Sequence, residues 1–199
     1  MRGRIAMHLS IACVAAFMGG CASPGRGPYQ EIGDAARNTV LAESLTRRAV
    51  ELMLQDERRA EELLREALTA DVFFGPAHNN LGVLLLRGGD LAGAANEFSF
   101  AAKLLPDNPD PRVNLAMTFE RAGRIDDAIG AYASVLETSP DHVPTMQALA
   151  LCQVRHARRD AGTDRMLREV ALRGENAQWR EWARRELSRL DTPAPSIDL

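Results

Sequence analysis

The chain has 199 residues, of which 46% are hydrophobic and only 5% are aromatic. This composition is sufficient for one domain of ordinary size, and it suits Ala- and Leu-rich helix packing better than a β-sandwich. The formal net charge of −3 gives no overall attraction to a polyanion, so we expect no nucleic-acid partner.

Residues 1–20 have the pattern of a secretory signal sequence. Arg2 and Arg4 precede an apolar run from Ile5 to Met18, and Gly19-Gly20 follow it. The run is shorter than the roughly 20 residues that a membrane-spanning helix needs. We therefore expect that the chain is exported and that this segment is removed.

The end of this segment, Met18-Gly19-Gly20-Cys21, resembles a bacterial lipobox, in which signal peptidase II cuts before a cysteine that is then lipidated. The resemblance implies lipidation of Cys21. Because Ala22 rather than Asp follows the cysteine, it also implies a membrane-anchored lipoprotein at the periplasmic face of the outer membrane. The alternative is an ordinary secretory signal with a chance cysteine. Residues 21–33 would be the lipidated cysteine and a flexible Pro/Gly-rich tether.

Two helices are predicted next. Asp34 is a candidate N-cap for a helix from Ala35 to Leu54, and residues Glu57 to Thr69 have the pattern of a second helix. Gln55-Asp56 would form the turn between them.

From Gly75 to His142 one pattern of 34 residues occurs twice without a gap. The matching pairs are Leu81/Leu115, Gly82/Ala116, Gly89/Gly123, Ala94/Ala128, Phe98/Tyr132, Ala101/Val135 and Pro106/Pro140. This step and this order of residue types resemble the tetratricopeptide repeat (TPR). A weaker copy precedes the two, because Ala60, Leu64 and Ala67 each lie 34 residues before Ala94, Phe98 and Ala101.

The resemblance implies an all-α, right-handed superhelical solenoid of antiparallel helix pairs. Small residues such as Ala94 and Ala128 would let paired helices approach closely, and Gly89 and Gly123 would end each first helix in a left-handed conformation. The predicted TPR domain covers residues 34–190. Its parts are a degenerate repeat at 41–74, repeats at 75–108 and 109–142, a degenerate repeat at 143–174 and a capping helix at 175–190, followed by a disordered tail at 191–199.

The last two elements are less regular. In the ungapped alignment Gly162 and Met166 stand where Ala128 and Tyr132 stand one repeat earlier, so the second half of this repeat looks eroded. A final amphipathic helix from about Asn176 to Leu190 places Trp179, Trp182, Ala183, Leu187 and Leu190 on one face. We predict that it caps the array, and the alternative is a helix that lies on a membrane surface.

No catalytic signature is present: GxSxG, HExxH, a P-loop, GxGxxG and CxxC are all missing. We therefore expect no enzyme, no cofactor and no small-molecule substrate. Cys152 is expected to be a buried apolar residue. His78, His142 and His156 are expected in turns or in solvent, so no metal site is predicted.

The face of each first helix opposite the core carries recurring residues at its fifth, ninth and thirteenth positions. Solvated faces are usually polar, yet the ninth position is Val, Met and Leu, beside a column of Arg. This strip predicts a concave groove that receives an extended peptide or helix of a partner protein. Its residues are Asn79, Val83, Arg87, Val113, Met117, Arg121, Gln147, Leu151 and Arg155. The alternative is that the C-terminal helix folds back and fills the groove with Trp179 or Trp182.

A lipobox combined with a short TPR array resembles the TPR lipoproteins of type IV or tight-adherence (Flp) pilus systems. The resemblance implies a lipid-anchored scaffold that helps to assemble an envelope machine such as a pilus or a secretin. The alternative is an accessory subunit of a periplasmic cell-wall enzyme. Neighbouring genes for a secretin and a pilus ATPase would favour the first function, and genes for wall enzymes would favour the second.

Overall fold

The computed structural model describes residues 37–191, with side chains up to residue 189. The predicted signal sequence, Cys21, the tether, Asp34, residues 192–199 and the side chain of Leu190 lie outside the described residues. Asp191, predicted as the first residue of the tail, is the last residue of α9. Within them the chain is all-α. The helices are α1 Thr39–Leu52, α2 Glu57–Ala70, α3 Gly75–Gly88, α4 Leu91–Leu104, α5 Asp110–Arg121, α6 Ile125–Thr138, α7 Val143–Arg155, α8 Ala161–Arg173 and α9 Ala177–Asp191. Each helix packs against the next one in the chain.

The first helix begins later than the sequence pattern suggests. The prediction placed its first residue at Ala35, whereas α1 begins at Thr39. Asn38 is the N-cap, because its side-chain oxygen accepts a hydrogen bond of 3.0 Å from the Leu41 amide. The Asn38 amide in turn donates to the Ala70 carbonyl at 2.8 Å, which ties the start of α1 to the end of α2.

A buried carboxylate holds the same junction together. Asp71 accepts hydrogen bonds from Arg37 Nε at 2.9 Å, Thr39 Oγ1 at 2.7 Å and the Phe73 amide at 3.0 Å. Burial alone would raise the pKa of the Asp71 carboxyl, but these donors outweigh it and the pKa lies below its ordinary value. The ionised carboxylate is therefore the form that fixes the α2–α3 turn.

Small residues permit close packing within the central repeats, as predicted. Ala94 and Ala128 are 0% exposed, between the paired helices. A Cβ atom added at Gly82 would meet the Phe98 ring at 2.7 Å. The aromatic side chain of each second helix therefore fills the space that the small residue leaves on its partner.

His78 is buried, which contradicts the expectation of a turn or solvated histidine. Its Nε2 lies 2.8 Å from the Val72 carbonyl oxygen, and its Nδ1 lies 2.7 Å from Glu97 Oε2. The carbonyl can only accept, so Nε2 carries a proton. The ring links α3 to α4 and to the turn that precedes α3.

The turn inside each of the last three helix pairs repeats one geometry. Gly89 and Gly123 have φ of 85° and 75°, in the predicted left-handed conformation. The third turn places Ala157 there, with φ of 54°. In each turn, the amide of the residue after the left-handed one donates a hydrogen bond to the carbonyl oxygen five residues earlier. An example is the Arg158 amide, which donates to the Gln153 carbonyl at 2.8 Å.

Helix α8 is not eroded but shifted by one residue against the repeat. The buried residues are Thr163, Leu167 and Val170, rather than Gly162 and Met166 as the ungapped alignment suggests. Asp160 starts the helix with a capping box to Thr163. The longer α7–α8 turn therefore moves the whole apolar face of α8 by one position.

Helix α9 closes the C-terminal end of the array. Ala183 is buried against α8, and Trp179, Trp182 and Leu187 pack on the same core cluster. The Arg184 guanidinium donates to the Ala171 carbonyl at 3.2 Å. The Trp face thus covers the last repeat, as the capping prediction requires. Among residues 37–191 no helix has both the length and the apolar character needed to cross a membrane.

We predict that Ala128→Leu destabilises the domain by on the order of 1–3 kcal/mol, because the extra methyl groups overpack the α5–α6 interface. Thermal unfolding followed by circular dichroism measures the effect. Ala92→Leu on the exposed side of α4 is the control and should leave the melting temperature nearly unchanged. Equal melting temperatures for the Ala128 variant and the wild type would contradict the helix pairing.

Ala157→Gly should stabilise the protein by about 1 kcal/mol, because glycine adopts the left-handed conformation without the Cβ clash. For a domain of this size the melting temperature should rise by about 2–4 °C. The matched control is Ala122→Gly, since Ala122 has φ of −78° and gains no such relief. A lower melting temperature for the Ala157 variant would show that this turn is not strained.

Candidate functional site

A groove lies on the side of the array formed by α5 and α7, and the start of α9 closes one end. Its volume is about 550 Å³. The lining is mostly apolar in the middle and charged at the edges. It consists of Val113, Met117, Glu120, Arg121, Tyr132, Pro144, Gln147, Ala148, Leu151, Arg155, His156, Glu175 and Trp179. We refer to this space as the groove.

Six of the nine residues predicted for partner binding line the groove: Val113, Met117, Arg121, Gln147, Leu151 and Arg155. Met117 is the most exposed apolar residue among them, at 42%. Val113 and Leu151 beside it are half-buried. The structure therefore brings the second- and third-repeat parts of the strip together around Met117.

The first-repeat part of the strip lies outside the groove and serves packing. Asn79 accepts a hydrogen bond of 3.0 Å from the Asn114 amide group, which links α3 to α5. Val83 packs on the cluster formed by Leu86, Ala94 and Phe98. Asn79 thus links neighbouring repeats, while Val83 packs inside its own repeat.

The Arg column has a structural role that the sequence pattern did not reveal. Arg87 donates to the Met53 carbonyl at 3.1 Å, and Arg121 donates to the Leu86 carbonyl at 2.8 Å. Each guanidinium thus binds the C-terminal end of the first helix in the preceding repeat, where a cation is favoured. Arg155 instead donates to the Glu120 side chain at 2.8 Å. Partner binding by these three residues stays a prediction.

Gln147 cannot make the contact expected of it. It is 2% exposed, and its amide nitrogen donates to Glu175 Oε2 at 2.9 Å. Its side-chain oxygen accepts from the Glu175 amide, also at 2.9 Å. Both ends of the amide are therefore used to fix the α8–α9 turn against α7.

Trp179 forms the end wall of the groove. Its ring meets Trp182 edge-on at 5.4 Å between centroids. Trp179 lines the groove without occupying it, since a volume of about 550 Å³ remains. The alternative, in which the C-terminal helix fills the groove with Trp179 or Trp182, does not hold: Trp179 only lines one end and Trp182 is not part of the lining.

At the inner edge of the groove Glu120, Cys152 and His156 come together, and their possible ligand atoms all lie within 4.8 Å of one another. Burial, and after it the Glu120 carboxylate, raises the pKa of the Cys152 thiol to about 11. Burial and then Glu120 also raise the pKa of the Tyr132 hydroxyl. The expectation that Cys152 is buried is confirmed.

Sequence reasoning missed this cluster, although a signal was present. Cys152 and His156 are four residues apart, which places them on one side of a helix. Glu120 occupies a position that is Leu86 one repeat earlier and Val154 one repeat later. His156 lies in the turn after α7, as expected, but its Nε2 is buried beside Glu120.

Comparison with known proteins agrees with this geometry. Two sequence profiles, each described as tetratricopeptide repeat, match residues 54–109 and 85–151. The chain carries TPR repeats. Tetratricopeptide repeat protein 8 of Caenorhabditis elegans is 36% identical over 76 residues, which are 38% of this chain and 14% of that protein. The chain therefore spans only a small part of the length of this curated relative.

Solved TPR structures share the fold. A TPR protein from Parabacteroides merdae superposes with a TM-score of 0.63 at 18% identity, over 76% of this chain and 60% of that one. The first TPR of Spaghetti (RPAP3), bound to HSP90 peptide SRMEEVD, superposes with a TM-score of 0.57 at 16% identity, over 61% and 98%. The predicted TPR solenoid is confirmed.

TPR repeats act as protein-interaction scaffolds and are generally non-catalytic. The sequence matches identify no enzymatic family.

Proposed function

We propose that this chain is a lipid-anchored TPR scaffold whose groove binds an extended segment of a partner protein. The observation that carries the proposal is Met117, an exposed apolar side chain between Val113 and Leu151 in a concave surface. An apolar residue in a water-filled groove is stabilised when a partner side chain covers it. Interface energy is concentrated in such central anchors.

The charges at the groove edges can orient a bound segment, but they do not attract segments of one net charge. Arg121 and Arg155 stand beside Glu120 and Glu175, so neither sign dominates. A segment with one apolar side chain for the Met117 region and acidic groups or carbonyl oxygens near the arginines fits this arrangement. Mixed rim charges of this kind contribute specificity and register more than affinity.

The anchor is the second part of the proposal. The lipobox-like residues before Cys21 support acylation of that cysteine at the outer membrane. A flexible tether over residues 22–33 would reach roughly 20 Å, so the groove would stay near the membrane surface. The likeness of this architecture to pilus TPR lipoproteins supports a role in the assembly of a pilus or secretin.

Partner binding in the groove can be tested in cells that produce this protein naturally. A photocrosslinking amino acid is placed at position 117, and position 172 serves as the control. Leu172 is an apolar residue on α8 that is 74% exposed and does not line the groove. Crosslinks to one protein at 117 and none at 172 are expected, and the partner is identified by mass spectrometry.

The purified partner then allows a direct measurement. Met117→Asp should weaken binding by about 2 kcal/mol or more, because it places a charge in the covered apolar centre. Leu172→Asp should bind like the wild type. Unchanged affinity of the Met117 variant with an unchanged melting temperature would exclude the groove as the binding site.

Acylation is tested separately. Metabolic labelling with a fatty acid should mark the wild type and leave Cys21→Ser unmarked, and the variant should leave the membrane fraction. The reason is that the acyl chains, at about 0.8 kcal/mol per buried CH₂, are the proposed attachment. Equal labelling of both proteins, or a wild type absent from membranes, would contradict the anchor.

A further inference from the structure

We propose that Glu120, Cys152 and His156 bind a divalent cation of the zinc class at the inner edge of the groove. The three side chains come from two adjacent repeats. Glu120 lies in the last turn of α5, Cys152 in the last turn of α7, and His156 directly follows α7. Such a site goes beyond partner binding, and it depends only on the fold.

The distances fit a small coordination sphere. Nitrogen and oxygen ligands bind Zn²⁺ at about 2.0–2.1 Å, so two of them at a tetrahedral angle lie about 3.3 Å apart. His156 Nε2 and Glu120 Oε1 are 3.4 Å apart. The widest separation in the cluster is within 4.8 Å, and Glu120 and His156 are only half-buried at the groove edge. A modest side-chain rotation therefore completes the geometry.

The donor set selects the kind of cation. A thiolate, an imidazole and a carboxylate are ligands of Zn²⁺, whereas Mg²⁺ and Ca²⁺ prefer oxygen ligands only. The carboxylate and the thiolate together balance the two positive charges of the ion. When the ion binds, the Cys152 thiol proton passes to the solvent and sulfur forms the metal bond.

An unsatisfied nitrogen points to the same site. The Nε2 atom of His156 is buried and makes no hydrogen bond of good geometry among residues 37–191, although Glu120 Oε1 lies 3.4 Å from it. Buried polar atoms nearly always have a partner, and a metal ion at this point would supply one. The carboxylate of Glu120 adds to the argument, because the equivalent positions in the neighbouring repeats are apolar.

The nearby arginine does not block the site. Arg155 donates to the same Glu120 oxygen at 2.8 Å, but its side chain is 56% exposed and free to turn toward solvent. Glu120 and His156 line the groove, while Cys152 is buried behind them. With three protein ligands, the fourth position faces the groove and accepts water or a ligand atom of a bound segment.

The test uses the full chain, without an affinity tag, in a Cys13→Ser/Cys21→Ser background so that Cys152 is the one thiol. Zn²⁺ should bind at one ion per chain and raise the melting temperature. Co²⁺, used as a spectroscopic probe for Zn²⁺, should give a thiolate-to-cobalt charge-transfer band together with the visible bands of a four-coordinate site.

The variants separate the three ligands. Glu120→Gln, Cys152→Ala and His156→Gln should each weaken Zn²⁺ binding by more than about tenfold, and Cys152→Ala should remove the charge-transfer band. His142→Gln is the control and should bind like the background, because His142 pairs with Thr145 outside the cluster. If Cys152→Ala fails to fold, the Zn²⁺ affinities of the two groove-edge variants, Glu120→Gln and His156→Gln, decide the outcome.

Three results would overturn the proposal. The first is the lack of saturable Zn²⁺ binding by the background protein. The second is a cobalt spectrum without the thiolate band. The third is equal affinity in the background and in folded Glu120→Gln and His156→Gln variants.

Discussion

No helix pair of this chain can bury both of its apolar faces alone, and the stacking of the repeats follows from this constraint. Within a pair, small residues let the two helices approach, since Ala94 and Ala128 lie at 0% exposure between them and the Phe98 ring fills the space beside Gly82. Each pair must then stack on the next one to cover its remaining apolar face. Hydrogen bonds then align one repeat with the next, through Arg87 and Arg121 on helix-end carbonyls. Apolar contact drives the stacking, and the guanidinium contacts fix its register.

Local pattern was enough to predict most of the fold. The positions of Gly89, Gly123, Ala94 and Ala128 follow from turn chemistry and helix spacing, and the structure confirms them. The shift of α8 could not be read from an ungapped alignment, because a longer turn changes which residues face the core without leaving a mark in composition. His78 was missed for a related reason. Its burial depends on Glu97 and on the Val72 carbonyl, which are brought to it only by the folded chain.

The candidate site, like the fold, was predictable only in part. Residue spacing predicted which positions share a face, and it correctly placed Val113, Met117 and Leu151 together. It could not tell which polar groups on that face are already used. Gln147 is held by Glu175, a residue from the next turn of the array. The Arg column recurs at one spacing largely because each repeat needs the same inter-repeat contact, so recurrence alone is weak evidence for a partner.

The groove and the stack share side chains, and this has a consequence for binding. Arg121 lines the groove while it holds the end of α3, and Gln147 forms the wall while it holds the start of the capping turn. The shape of the groove is therefore set by the register of the repeats rather than by a separate loop. In a linear array, stability is a sum of repeat and interface terms. A segment bound across α5 and α7 contacts both sides of one such interface. By linkage it would stabilise the stacked form by an amount that grows with the logarithm of its affinity, so binding of a segment there and the integrity of the C-terminal repeat would be coupled.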